Sequence, residues 1–324
     1  MITDNLYQQI LLGPLQHADR LTIISGYATP AMVIRHLNDA TRASKDIVIE
    51  LIVGKVISDG IYKGDHKAYY ELSKITYPKN FICKYFTGNK SGVHSKIYIW
   101  SKKNKPLEAF IGSANYTQNG FFGKQIEAMT NCNGEQALKE FENINRLSIN
   151  CNDENINKFI RINDNPTIQK DLSLKNDKIP ERENELKEYI NLSLLVRGNI
   201  TPEKSGINWG QRPGRDPDQA YLSVPSEIQK SGFFPERGDC FIIHTDDGEV
   251  LDCKRAQDNG KAIETYENNS ILGKYLRKRI GVPYGEYVTK EHLEKYGRTN
   301  ITIYKISDES FYMDFSLNDK LKEI

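Results

Sequence analysis

Net charge is nearly absent from this chain: 44 lysines and arginines stand against 43 aspartates and glutamates, leaving a formal +1. That balance excludes a globally cationic, histone-like binder. It does not exclude a local basic surface, because only the side facing phosphate must be positive. Long apolar runs are missing too. No stretch approaches the ~18 consecutive apolar residues of a membrane span. The N-terminal MITDNLYQQILLGPLQHADR lacks a basic region followed by an apolar core. With 38% hydrophobic residues and a mean hydropathy of -0.59, the expectation is a soluble cytoplasmic protein. Cysteine is sparse: Cys83, Cys132, Cys151, Cys240 and Cys253 are odd in number, and no two form a Cys-x-x-Cys pair. A disulfide framework or zinc knuckle is therefore not expected, and these five read as small buried hydrophobes. There is no internal repeat.

What is present divides into two textures. From 21 to about 147, short β-branched runs alternate with amphipathic segments. LTIISGY (21–27) and IVIELIV (47–53) are continuous apolar runs of strand length and read as buried strands. Between them, Thr29 is placed to cap a helix and Pro30 to begin it, with Val33, Leu37 and Ala40 at helical spacing. GDHKAYYELSKIT (64–76) and GEQALKEFENINRL (134–147) predict two more helices. FICKYF (81–86), HSKIYIW (94–100), EAFIGSA (108–114) and QIEAMT (125–130) predict four more strands. The pattern implies an α/β domain, a mixed sheet flanked by helices.

Residues from about 150 to 187 are rich in Asn, Asp and Lys, and predict a polar linker with one or two short helices. Beyond it come short strands with Gly/Pro turns, including AYLSVP, CFIIHT, EVLDCKRAQ, ITIYKI and FYMDFS. TDDGEV (245–250) reads as a hairpin turn. The expected domains are 1–165 and 188–324, the second β-rich, joined by a linker at 166–187.

The chemistry concentrates in the first half. In VHSKIYIW (93–100), His94 and Lys96 stand two apart, so a strand would project both to one face. Downstream, Ser113 and Asn115 in GSANYT (112–117) repeat that spacing at another strand end, and Glu127 falls inside a predicted strand. Together these side chains suit a phosphodiester. An imidazole can attack phosphorus. A fixed Lys and an Asn amide can stabilise charge growing on the non-bridging oxygens, with Ser113 as a further donor. A carboxylate, Glu127, can orient the imidazole. This chemistry calls for no metal or cofactor, and the chain has no acidic cluster of the Asp…Glu-x-Lys kind. Each short motif is common alone. A strand-initial His-x-Lys followed by Gly-Ser-x-Asn-x-Thr and an intrastrand Glu is far more specific. His17, His36 and His66 lack attendant Lys/Asn pairs and read as surface or structural residues.

These residues resemble the phospholipase D superfamily, whose signature is His-x-Lys followed by Gly-Ser-x-Asn. The resemblance covers roughly 15–147. It implies a nucleophilic His94, phosphate-holding Lys96, Ser113 and Asn115, and Glu127 as the later acidic residue. One departure is Ser101, where many members have Asp; this speaks against a phospholipid substrate more than against phosphoryl transfer. Such chemistry needs one His to attack and another to protonate the leaving oxygen. With a single motif copy, the second must come from another subunit, so a two-fold homodimer through the nuclease domain is expected.

The second half carries polar segments able to read bases. NWGQRPGRDPDQ (208–219) holds Trp209, Arg212, Arg215, Asp216, Asp218 and Gln219. KRAQDNGKAIETYENNSILGKYLRKR (254–279) holds Gln257, Asn259, Lys261, Asn268 and Asn269, then a cationic end with Lys274, Arg277, Lys278 and Arg279. Arg pairs with guanine, Asn/Gln with adenine, Asp/Glu with cytosine, and clustered Lys/Arg with phosphate. By composition alone, two solvated loops of an ordinary β domain serve equally well. The stretches GQRPGRDPDQAYLSVP, FFPERGDCFIIHTDDG, QDNGKAIETYENNSILGKYLRKRIG and EKYGRTNITIYKI resemble the B3-like pseudobarrel that accompanies a phospholipase-D-type nuclease in NgoFVII-type restriction endonucleases. The resemblance implies two arms, at 208–219 and 257–279, gripping the major groove. It further implies metal-independent cleavage of double-stranded DNA at a specific site, and a companion DNA methyltransferase or ATPase. The rivals are a sequence-specific binding protein on an inactive or nonspecific nuclease scaffold and a lipid phosphatidyltransferase.

Overall fold

The computed structural model describes residues 1–123, 125–164 and 188–317. The chain divides into two compact units, Met1–Pro166 and Thr167–Ile324. The expected linker at 166–187 lies outside the described residues.

In the first unit the two apolar runs form β1 (Arg20–Ser25) and β2 (Val48–Val53), parallel and buried along nearly their whole length. Helix α1 (Pro30–Arg42) joins them. The Thr29 hydroxyl accepts from the Met32 amide and Pro30 takes the first position, the predicted start signal. A short α2 (Val56–Asp59) and β3 (Ile61–Tyr62) lead to α3 (Lys63–Glu71), which runs on as a π-helical turn to Thr76. Then come β4 (Phe81–Phe86), β5 (Ile97–Lys102), β6 (Lys105–Gly112), α4 (Gln118–Phe122), β7 (Met129–Asn131), α5 (Gly134–Asn145), β8 (Ser148–Asn150) and β9 (Ile162–Asn163). The main sheet has the order β7-β6-β5-β1-β2-β4-β8. Its centre β1-β2-β4 is parallel, and β5, β6, β7 and β8 attach antiparallel.

Alternation along the strands sends Ile24, Ile52, Ile97 and Ile99 to one face, against Ala137, Phe141 and Ile144 of α5. The other face holds Trp100, whose indole donates to the Ile10 carbonyl at 2.7 Å and whose ring meets His36 of α1 edge-on. Each such fully buried side chain contributes about 1.5–3 kcal/mol. Three sequence expectations need correction. The strand expected from His94 starts only at Ile97, and the one expected from Gln125 only at Met129. Residues 150–164 are not linker. β9 pairs with β3, and the Cys151 amide donates to the Cys83 carbonyl, so this stretch is part of the first unit.

The second unit contains β10 (Tyr189–Ser193), β11 (Leu222–Ser223), α6 (Ser226–Lys230), β12 (Cys240–Thr245), β13 (Val250–Ala256), β14 (Ala262–Thr265), α7 (Ser270–Ile280), α8 (Lys290–Tyr296), β15 (Asn300–Lys305) and β16 (Ser310–Asp314). The sheet order is β10-β15-β16-β12-β13-β14-β11, antiparallel except for the parallel β12/β16 pair. Its end strands β10 and β11 come into contact, so the sheet nearly closes on a core of Phe233, Phe234, Phe241 and Phe311 with Leu272 and Leu276 of α7. TDDGEV forms the expected turn between β12 and β13, with Gly248 at φ +86°. Strand β14 and helix α7 were not anticipated, because both lie in a stretch whose polar residues mask the buried ones. Cys83, Cys151, Cys240 and Cys253 are buried and all five cysteines are free thiols. No helix among the described residues is long and apolar enough to cross a membrane.

Candidate active site

Strand direction gathers the site. β1 and β2 both end at one edge of the sheet, and β5, antiparallel to β1, begins there. β6, antiparallel to β5, ends there too, with Ile97 opposite Ile111. Carboxyl ends of parallel strands are where α/β sheets place their ligands. The segments Gly26–Tyr27, Gly54–Lys55, Val93–Lys96 and Ser113–Asn115 therefore converge.

Two glycines allow the close approach. The Val93 amide donates to the Gly54 carbonyl at 3.0 Å, and a Cβ on Gly54 would lie 2.1 Å from the Val93 oxygen. A Cβ on Gly26 would lie 2.7 Å from Nδ1 of His94. The imidazole thus rests against bare backbone on its Nδ1 side, leaving Nε2 on the far side of an exposed ring. The Tyr27 ring meets it edge-on at 5.9 Å between centroids. Among the described residues no hydrogen bond reaches either ring nitrogen. Burial, then the charges of Lys96 and Lys55, lower the pKa of His94 against an opposing pull from Asp59. These influences favour the uncharged ring, the state in which a nitrogen lone pair can attack.

Lys96 is 7% exposed, and its ammonium donates to the His94 carbonyl at 2.8 Å. Burial lowers its pKa and Glu127 counteracts this. Asn115 is fixed by its oxygen: Oδ1 accepts from the Tyr27 amide at 3.1 Å, which turns the Nδ2 donors the other way. Beneath it Ser25, wholly buried, donates to the Tyr27 carbonyl and accepts from the Tyr116 amide.

Ser113 and Glu127 have contacts within the fold. The Ser113 hydroxyl accepts from the Ala128 amide at 3.0 Å and donates to the Ala128 carbonyl at 3.4 Å, so it ties down the segment carrying Glu127 instead of standing open to a phosphate. Glu127 precedes β7 rather than lying within a strand, and its charge acts on Lys96 and Tyr98. Asp59, which accepts from the Tyr27 hydroxyl at 2.7 Å, exerts an electrostatic pull on His94. Ser25, Gly26, Tyr27, Lys55 and Asp59 were missed in the sequence. The available signal was that both apolar strands end in Gly followed by a polar residue, at the edge where ligands bind.

The other histidines have partners within the fold. His17 pairs with Glu108, His66 with the Tyr85 hydroxyl, and His36 lies between the Tyr116 hydroxyl and the Leu11 carbonyl. His244 bonds Ser310 and His292 caps α8. No group of three or more His, Cys, Asp or Glu placed to hold a metal occurs among the described residues.

In the second unit the two expected arms are adjacent, since the Ala220 amide donates to the Asn269 carbonyl at 3.2 Å. Arg212, Arg215, Asp216, Asn259, Lys261, Asn268 and Lys274 are exposed. Arg215 stacks 4.0 Å over Trp209 and donates to Gln219 at 2.9 Å. The Asp218 amide holds the Asp216 carboxylate below its usual range. Gln257 and Asn269, half-buried, both donate to Glu264. Arg277, Asp218 and Arg279, also expected to meet DNA, hold internal contacts. Arg277 is fully buried, donating to the carbonyls of Pro217, Gly273 and Glu286 and pairing with buried Asp218. Arg279 forks onto Asp246 at 2.7 and 2.8 Å. These residues fasten α7 to its neighbours, because burying an Arg or Asp requires a partner for every charge.

A mixed sheet presenting His-x-Lys and Ser-x-Asn at one edge, followed by a nearly closed β barrel, defines a phospholipase-D-like domain coupled to a B3-like pseudobarrel. Residues 4–158 match the NgoFVII restriction endonuclease N-terminal PLD domain, and 182–307 match the NgoFVII C-terminal B3-like DNA-binding domain. The chain belongs to the NgoFVII restriction endonuclease family and is a nuclease of the phospholipase D superfamily. No curated protein matches it. Among solved structures it is similar to NucT from Helicobacter pylori at 16% identity, over 46% of this chain and 96% of that one, with a TM-score of 0.34. It is also similar to Nuc from Salmonella typhimurium, described as a phospholipase D family member, at 14% identity over 44% and 89% with a TM-score of 0.33.

Proposed function

We propose that this protein cleaves double-stranded DNA at a specific sequence without metal, through a covalent phosphohistidine in a site shared by two copies. The observation carrying this reading is the convergence of His94, Lys96 and Asn115 on one sheet edge. Nε2 of His94 attacks the scissile phosphorus and the bond to the leaving oxygen breaks. The protonated His94 of the second copy supplies that oxygen with its proton. Water then attacks the phosphorus, gives its proton to the second imidazole and releases His94. Lys96 and the Nδ2 donors of Asn115 stabilise the charge on the non-bridging oxygens. Ser113 and Glu127 position the loop and Lys96, while Asp59 and Tyr27 flank the nucleophile. Exposed Ile111 near the end of β6, Phe122 at the end of α4 and Ile126 before β7 offer the apolar surface that a second copy would cover.

In the second unit, exposed Arg212, Arg215, Lys261 and Lys274 would meet phosphate or guanine, and the amides of Gln219, Gln257, Asn259, Asn268 and Asn269 would meet base edges. Incubation with plasmid in excess EDTA should give discrete fragments with the parent chain. His94→Ala should give none while retaining specific binding. Smeared products, or cleavage abolished by EDTA, would overturn the reading. A companion methyltransferase or ATPase fits a restriction system.

A further inference from the structure

Glu264 is a carboxylate in the middle of β14 with 6% of its surface exposed. It bridges two segments. One oxygen accepts from Nε2 of Gln257 at 2.9 Å, just after β13, and the other from Nδ2 of Asn269 at 3.1 Å, just before α7. A carboxylate can only accept, so it admits one rotamer of each amide: nitrogen inward, carbonyl oxygen outward. Gln257 moreover sits at φ +61°, ψ −180°, a region almost reserved for glycine, and Asn259 at φ +58°. Such strain persists only where surroundings over-determine it, and it gathers at binding sites. The clamp here is Arg255, 7% exposed, whose guanidinium donates to the carbonyls of Asn259, Gly260, Gln229 and Pro235.

We infer that Glu264 is a specificity-determining positioning residue, which fixes Gln257 and Asn269 as readers of bases bearing a major-groove amino group. Each amide keeps an outward oxygen and one N–H. That set matches the N6–H and N7 of adenine in two hydrogen bonds, or the N4–H of cytosine in one. Guanine, with two acceptors, and thymine, with an acceptor and a methyl, meet the wrong atom first. The inference rests on the DNA-reading role proposed for this unit. A methyl group on the same exocyclic amine would remove or crowd the donor, so modification there would protect the DNA.

The test uses the full chain carrying His94→Ala, so that bound DNA stays intact, to select from duplexes randomised across the site. Two positions should demand an amino-bearing base by about 10- to 100-fold. Adding Glu264→Gln, whose amide both accepts and donates, lets a reading amide flip. It should relax or switch preference at one or both positions, leaving the rest of the site and the salt dependence of binding unchanged. Gln257→Ala and Asn269→Ala, on half-buried side chains, should each abolish one preference and serve should Glu264→Gln not fold. Full preference retained in all the folded variants overturns the inference. A parent chain that binds DNA with no base preference overturns the DNA-reading role itself, and this inference with it.

Discussion

Gly26→Ala probes the nucleophile without touching it. The added methyl would lie 2.7 Å from Nδ1 and 3.4 Å from both Cα and Cε1 of His94. Carbon and nitrogen sit comfortably at about 3.5 Å, so the ring must retreat by roughly 0.8 Å. His94 is exposed, so that retreat costs little. Stability should fall by no more than about 1 kcal/mol, at the low end for overpacking. The chemistry is less forgiving, because a displacement near 1 Å from the line of attack can cost on the order of 100-fold. Single-turnover cleavage of a saturating duplex should slow by about 10- to 100-fold. DNA affinity and thermal midpoint should stay near those of the parent. Cleavage at the parental rate, with the fold intact, would refute the placement of His94 as the attacking group. A loss confined to DNA affinity would refute it equally.

Lys55→Met removes one of the charges that depress His94. Its protonated form becomes easier to reach and its pKa rises in both copies, so both the acid limb, set by the attacking imidazole, and the alkaline limb, set by the proton donor, should move to higher pH in the cleavage-rate profile. Arg279→Met strands the buried Asp246 carboxylate and should destabilise the second unit by about 3–5 kcal/mol in denaturant titration. Arg215→Ala, on an exposed side chain, should leave that titration unchanged and weaken DNA binding instead. His36 has its pKa pushed down to about 4 from 6.5 by complete burial, so the unfolded chain takes up the proton first. The stability it contributes is fully present above pH 6.5 and is lost as pH falls toward 4. That loss amounts to about 3 kcal/mol by urea unfolding at successive pH values.

Much of this architecture was legible in the sequence for identifiable reasons. Strands covered on both faces, such as β1 and β2, leave continuous apolar runs, and Thr29-Pro30 marked a helix start. His94, Lys96 and Asn115 could be singled out because the spacing of each motif is local. The strand reading failed at the site itself. Residues 93–96 follow the pattern of β5 but are drawn over Gly54 before the ladder begins. Tyr27, Lys55 and Asp59 were missed because what joins them to His94 is sheet topology, which no short motif encodes. In the second unit charge misled. Arg277 and Arg279 look like a phosphate-binding end, yet their guanidiniums are consumed by carbonyls and by Asp218 and Asp246. Glu264, which the sequence showed only as one more polar residue, lies buried beneath the two amides.

The stereochemical course at phosphorus tests the central claim most directly. A duplex with one phosphorothioate of known configuration at the scissile position, cleaved in ¹⁸O-labelled water, reports whether displacement occurred once or twice. Attack by His94 followed by attack of water inverts the centre twice, so the account predicts net retention of configuration. Net inversion would mean that water attacks the phosphodiester directly, and would contradict a covalent phosphohistidine at His94.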